Sequence, residues 1–226
     1  MSGGIGLLHV VATPIGNLED ITLRALRVLR ECDVVVAEDT RRTRQLLTAH
    51  GISRPLVSLP AHDEARRVPA LVARLISGES LALCTDAGTP VVSDPGAALV
   101  HAARDAGVTV VPVPGASALT TALAGSGLRG GRVCFLGFLP RSPGKLRRSV
   151  ETGLLADATV VFYESPLRLA RTLALIAPSC GDRPVVVARE LTKVHETFHT
   201  GTAASLAEAF AAKPPRGECT VLIGAS

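Results

Sequence analysis

Four short stretches of this sequence gather carboxylates, hydroxyls, glycines and prolines, and each comes directly after an apolar run. The longest is Thr85-Asp86-Ala87-Gly88-Thr89-Pro90, continued by Val91-Val92-Ser93-Asp94-Pro95-Gly96. A second, Glu38-Asp39-Thr40-Arg41-Arg42-Thr43, sets two acids before two arginines. The others are Thr13-Pro14-Ile15-Gly16-Asn17 and Val113-Pro114-Gly115-Ala116-Ser117-Ala118. Carboxylates in such places can take up protons, and arginine forks can hold phosphates. Glycine lets backbone approach a ligand closely. Each stretch also has a plainer use. Asp39 would cap a helix, where the dipole favours an acid. Ser117 could do the same, and the stretch at Thr13 could be an ordinary turn. The 85–96 stretch is the most informative. A plain connection takes about 2–6 residues, and longer ordered loops are often functional.

Alternating strands and helices would position these stretches. Apolar runs at 7–12, 34–37, 56–59, 81–84 and 108–113 predict strands. Helical spacing predicts helices over 18–30, 40–49, 63–76, about 94–106 and about 116–124. Pro69 argues for a late start or a kink in the third helix. Asp94-Pro95 reads as an N-cap and first-turn proline for the fourth. This order implies a mostly parallel sheet covered by helices, with strands buried on both faces. All four polar stretches would then line one edge of the sheet, beyond the carboxyl ends of its strands, where ligands bind in open α/β sheets.

The run Gly125-Ser126-Gly127-Leu128-Arg129-Gly130-Gly131 reads as a linker and divides the chain into domains at 1–127 and 128–226. Its glycines match G-x-G-x-x-G formally, but they come after a helix and before a strand, the reverse of the dinucleotide fingerprint. Beyond it, strands are predicted at 133–139, 159–163, 185–188 and 219–223, with an extended stretch near 197–199. Helices are predicted over 145–155, after Ser165-Pro166, and over 203–211. Lys145, Arg147 and Arg148 form a basic run, either a phosphate-binding surface or a solvated helix face.

Composition narrows the function classes. With 47% hydrophobic residues in 226, the chain can build a core. No apolar run approaches the ~20 residues of a membrane helix. Met1-Ser2-Gly3-Gly4-Ile5 has no basic n-region, so no signal peptide is expected. The five cysteines are widely spaced and form no C-x-x-C pair, and His62, His195 and His199 lack zinc-site spacing. Free thiols in a cytoplasmic protein without a metal are expected. The net charge of +4 permits a polyanionic partner without demanding one. With one tyrosine and no tryptophan, a surface stacking many bases on aromatic rings is not expected.

The polar stretches, in this order, resemble the tetrapyrrole methylase family of S-adenosylmethionine-dependent methyltransferases. They are most similar to its ribosomal branch, which methylates a ribose 2′-hydroxyl of a cytidine in 16S ribosomal RNA. The resemblance runs through Ala12-Thr13-Pro14-Ile15-Gly16-Asn17-Leu18, Ala37-Glu38-Asp39-Thr40-Arg41, 85–96 and 112–128. It continues in Gly137-Phe138-Leu139-Pro140, Phe162-Tyr163-Glu164-Ser165 and Ala188-Arg189-Glu190-Leu191-Thr192-Lys193. It implies a two-domain α/β fold, with a mostly parallel sheet in the N-terminal domain, a mixed sheet in the C-terminal one, and S-adenosylmethionine held in the cleft between them. Asp86, Ala87, Gly88, Thr89 and Pro90 would form the methyl-donor loop. Ser117, Ala118 and Pro14 would add contacts, and Tyr163, Ala188 and Thr220 would enclose the adenine. The resemblance further implies a partner in 16S ribosomal RNA of the small ribosomal subunit, and a homodimer. Members of this branch often carry a further C-terminal region, whereas this sequence stops at Ser226, just after its last expected strand.

A ribose hydroxyl is a weak acid, so a base near the acceptor would help. Glu38, Asp39 and Asp94 are the candidates, with Arg41 and Arg42 on phosphates, and the sequence does not choose among the three acids. Two rivals stand beside this expectation: C-methylation of a tetrapyrrole, and a non-catalytic RNA-binding module.

Overall fold

A computed structural model describes residues 4–225. Met1, Ser2 and Gly3, on which the expectation of no signal peptide partly rests, lie outside the described residues. The chain divides into two compact units, one ending at Ser117 and the other beginning at Ala118.

The first unit runs β1 (Leu7–Val11), α1 (Leu23–Glu31), β2 (Val34–Ala37), α2 (Thr40–Ala49), β3 (Leu56–Ser58), α3 (Glu64–Ile76), β4 (Leu81–Cys84), α4 (Ala97–Asp105) and β5 (Thr109–Val113). Its five strands are all parallel, in the order β3-β2-β4-β1-β5. Alternate side chains of the buried strands serve two cores. Leu8, Val34, Val36, Leu81 and Leu83 pack with Leu71 and Leu75 of α3 and Leu99 of α4. Val35, Ala82 and Cys84 pack with Ala25, Val28 and Leu29 of α1 and Leu47 of α2. Both faces are therefore covered, which is why these strands read as unbroken apolar runs. β1 and β4 are neighbours, yet β1 leads to β2 on one side and β4 leads to β5 on the other. Such a switch point leaves a crevice beyond the carboxyl ends of the two strands.

Two helix starts differ from expectation. The predicted helix over 18–30 is split, because Asn17 accepts the Glu19 N–H to close a short 3₁₀ turn and Thr22 accepts the Ala25 N–H to begin α1 afresh. Asp94 is not the cap of α4. That place is held by Gly96 at φ 121°, and the cap comes from α3, where Glu64 Oε1 accepts the N–H groups of Gly96 and Ala98 at 3.0 Å each. Pro69 lies inside α3.

The second unit runs α5 (Ala118–Ser126), β6 (Val133–Phe138), α6 (Pro143–Leu154), β7 (Thr159–Glu164), α7 (Pro166–Cys180), β8 (Val185–Arg189), β9 (Thr197–Gly201), α8 (Ala203–Ala212) and β10 (Cys219–Ile223). Its sheet is mixed, in the order β6-β7-β10-β8-β9, with only β6 and β7 parallel. Val160, Phe162, Val187, Cys219 and Val221 face a core shared with Leu146, Leu169, Leu173 and Leu206 of α6, α7 and α8. α5 packs on β8 and β10. Gly125, read from sequence as the start of a linker, is instead in this helix. A Cβ there would come within 2.5 Å of the Phe198 ring, so glycine is what lets α5 lie this close. That contact explains why the division falls before α5 rather than after Gly127. No described helix is long and apolar enough to cross a membrane.

Candidate active site

The loops at the carboxyl edge of the first sheet are tied together. Thr13 and Gly88 exchange backbone hydrogen bonds of 2.9 and 3.0 Å, an isolated antiparallel bridge across the switch point. The Thr13 hydroxyl donates to Thr85 O at 3.2 Å, and that of Thr89 to Ala116 O at 3.2 Å. These bonds join the stretches after β1, β4 and β5. Gly88 turns at φ 84°, which favours glycine, and Pro14, Ser117 and Ala118 flank the joined positions. The β2 stretch joins through Asp86, whose Oδ1 accepts the Asp39 N–H at 3.1 Å and whose Oδ2 lies 3.5 Å from Arg42. Thr85 is buried at the end of β4, and its hydroxyl has no partner. Ala87 is exposed and Pro90 buried.

The three candidate bases sit in different electrostatic surroundings. Asp39 accepts the Arg41 N–H at 2.8 Å, capping α2, and pairs with the Arg41 guanidinium at 2.9 Å. Hydrogen bonds from the Arg41 side chain, then from its backbone, hold its pKa down at about 2. Burial pushes Glu38 up, and the nearby Asp86 charge adds to that. Asp94 is pushed up to about 6, first by burial and then by the charges of Glu38 and Asp86. Its loop is strained, because Val91 and Ser93 adopt φ 75° and 67°. Non-glycine residues rarely do so, and such strain clusters at functional sites.

In the second unit, Tyr163, Thr220 and Ala188 are cross-strand partners on β7, β10 and β8, forming one row. Strand alternation sets this row opposite the face that carries Phe162, Val187 and Val221. Lys145, Arg147 and Arg148 are exposed on α6, while Leu146 and Val150 anchor its other side.

Residues 7–207 match the tetrapyrrole (corrin/porphyrin) methylases. The chain belongs to that family. It is 51% identical over 203 residues to a ribosomal RNA small subunit methyltransferase I of Xylella fastidiosa, covering 89% of this chain and 74% of that one. It is 46% identical to the enzyme of that name from Thermotoga maritima, covering 97% of this chain and 98% of the other. Among solved structures, uroporphyrin-III C-methyl transferase from Thermus thermophilus, complexed with S-adenyl homocysteine, superposes with a TM-score of 0.70 at 19% identity. That likeness covers 97% of each chain and is one of fold.

Two features of this methylase were not visible in its sequence. Glu64 reaches 32 positions along the chain to hold the end of the strained loop, and nothing local marks it as a cap. The Thr13–Gly88 bridge spans 75 positions, and only the adjacency of β1 and β4 creates it.

Proposed function

We propose that this methylase transfers a methyl group from S-adenosylmethionine to the ribose 2′-hydroxyl of a cytidine in 16S ribosomal RNA of the small subunit. The observation that carries this reading is the 46% identity to the Thermotoga enzyme over nearly the full length of both chains. The residues at the switch point fit the donor. Thr85 offers a buried hydroxyl without a partner, and Gly88 brings backbone to the crevice at a φ that suits glycine. In this reading, 86–90, Pro14, Ser117 and Ala118 hold the amino-acid and ribose parts, and the Tyr163, Thr220 and Ala188 row receives the adenine. When bound, S-adenosylmethionine supplies a methyl group already activated by its sulfonium.

The protein's own task is then to orient the acceptor and remove its proton. Asp94 is the acid suited to this. Held near 6, it is ionised at neutral pH and more basic than an ordinary carboxylate. Asp39, held near 2 by Arg41, is a poor base and serves as the cap of α2. Glu38 and Asp86 supply the negative charge that keeps Asp94 basic. Arg41 and Arg42 stand at the edge where a phosphate backbone would pass. All five cysteines are free thiols, which fits a cytoplasmic location. The reading includes a homodimer, measurable by sedimentation.

The test is transfer of labelled methyl from S-adenosylmethionine to small ribosomal subunits lacking the modification, with nuclease mapping of the product. Label on a cytidine ribose supports the reading. Label on a precorrin, with none on the subunits, overturns it. Failure of calorimetry to detect S-adenosylmethionine binding overturns it as well.

A further inference from the structure

β6 ends in a bulge that re-aims one aromatic ring. Phe135 pairs with Val161 and Phe138 with Tyr163, so three steps along β6 match two along β7. Gly137 makes the turn at φ 60°. In a regular strand Phe135 and Phe138 would point to opposite faces. The extra residue brings both rings edge-to-face against Tyr163, with centroids at 5.0 and 5.4 Å. Yet Phe138 is 65% exposed. Bulges of this kind commonly serve to re-aim a side chain, and the core gains little from a ring left in water.

The segment beyond Phe138 is cationic and held in place. Leu139 is buried, and the Arg168 guanidinium donates to Leu139 O and Pro140 O at 3.4 Å each. Arg141 comes next, then Lys145 and Arg148 on the exposed side of the first turns of α6. Among the described residues, none of the ion pairs involves Arg141, Lys145 or Arg148. An open aromatic ring at the end of β6, on the Tyr163 face, is followed within ten residues by three cations that enter none of those ion pairs. This suits single-stranded RNA passing over this edge, whose bases stack and whose phosphates need counter-charge. One ring is a platform for one base, which the scarcity of aromatic residues still allows.

We propose that Phe138 stacks on an unpaired base of the RNA substrate while Arg141, Lys145 and Arg148 hold phosphates further along the same strand. This rests on the reading of the chain as an enzyme acting on RNA. It concerns a surface of the second unit alone.

The experiment is fluorescence anisotropy with a fluorescein-labelled single-stranded RNA, using the full chain and its Phe138→Ala and Phe138→Tyr variants. Stacking predicts that Phe138→Ala weakens binding about tenfold or more, since one stacked base is commonly worth that much. Phe138→Tyr keeps the affinity within about twofold, because its ring presents a similar π-face. Arg141→Gln and Lys145→Gln each flatten the dependence of log affinity on log salt by roughly 0.7. Equal affinities for wild type and Phe138→Ala overturn the proposal, as does wild type failing to bind the RNA. So does a dimer that falls apart on Phe138→Ala, which would make the ring a subunit contact. Methyl transfer by wild type is scored separately. Phe138-dependent binding without transfer sinks the proposed reaction and leaves this surface standing. Transfer with Phe138-independent binding does the reverse.

Discussion

The arginines at the start of α2 and the basic residues of α6 carry the same charge in opposite circumstances. Arg41 lies against Asp39, and Arg42 faces Asp86. Each guanidinium thus has an acid of the protein as partner, and the Arg42–Asp86 pair joins two loops. Lys145, Arg147 and Arg148 are exposed on α6, and among the described residues none of the ion pairs involves them. A paired guanidinium has lost part of its power to attract a phosphate, while a solvated one keeps it. In the proposed function the first edge serves chemistry among acids, and in the proposed RNA surface the second holds a polyanion. A plain count of basic residues treats the two alike.

The largest effect expected from this contrast is on the acids. Asp94→Asn should lower the single-turnover methylation rate by about 10²- to 10⁴-fold, the usual worth of a positioned base. Asp39→Asn, which can still cap α2, should leave that rate within a few-fold. Equal losses in the two variants would erase the distinction between them. The wild-type rate should also fall as the pH drops through about 6, because Asp94 must be ionised to accept a proton.

Glu64→Ala comes next. It leaves the N–H groups of Gly96 and Ala98 without their carboxylate and frees the loop that carries Asp94. Chemical denaturation should show a loss of about 1–3 kcal/mol. Transfer should slow, while the salt dependence of RNA binding stays unchanged. A changed salt slope would mean that the two regions are not independent.

A smaller effect is expected from neutralising the cations one at a time. Glutamine at Lys145, Arg147 or Arg148 should lower the salt slope for single-stranded RNA by roughly 0.7 each, and glutamine at Arg41 or Arg42 by less. Equal slopes would show that pairing does not discount the arginines of α2.

The smallest concerns stability. Asp94 has a raised pKa in the folded state, so its ionisation there is disfavoured. The associated stability is fully present below the unfolded value near 3.8 and is lost as the pH rises through about 6. Asp94→Asn should therefore melt slightly higher than wild type at pH 8, with the gain shrinking towards pH 4. A loss at pH 8 would contradict burial as the cause of the shift.

Much of this was legible in local pattern. Val34-Val35-Val36-Ala37 and Leu81-Ala82-Leu83-Cys84 are apolar on both faces, and only a strand covered on both sides uses such runs. The polar stretch after each strand had to fall at one edge of a parallel sheet, so Thr13, Glu38, Asp86 and Ser117 could be grouped before any contact was known. Family membership was legible because many short motifs occur in one order. Boundaries were harder to read. Gly125 looked like a linker because glycine weakens a helix in isolation. The nearness of Phe198, 73 positions away, is what makes it a packing residue.

The choice among Glu38, Asp39 and Asp94 was closed to sequence for the same reason. All three are acids next to strands or helix starts, and their propensities are nearly alike. Their proton affinities are set by what folding brings near them: Arg41 at 2.9 Å for Asp39, but burial and two like charges for Asp94. The alternation of strands and helices, and the kinds of residue at each loop, come from local pattern, because periodicity and turn chemistry act over a few positions. Which acid can take a proton, and which cation is free to meet a phosphate, depend on contacts between residues far apart in the chain, and those exist only once the sheets have formed.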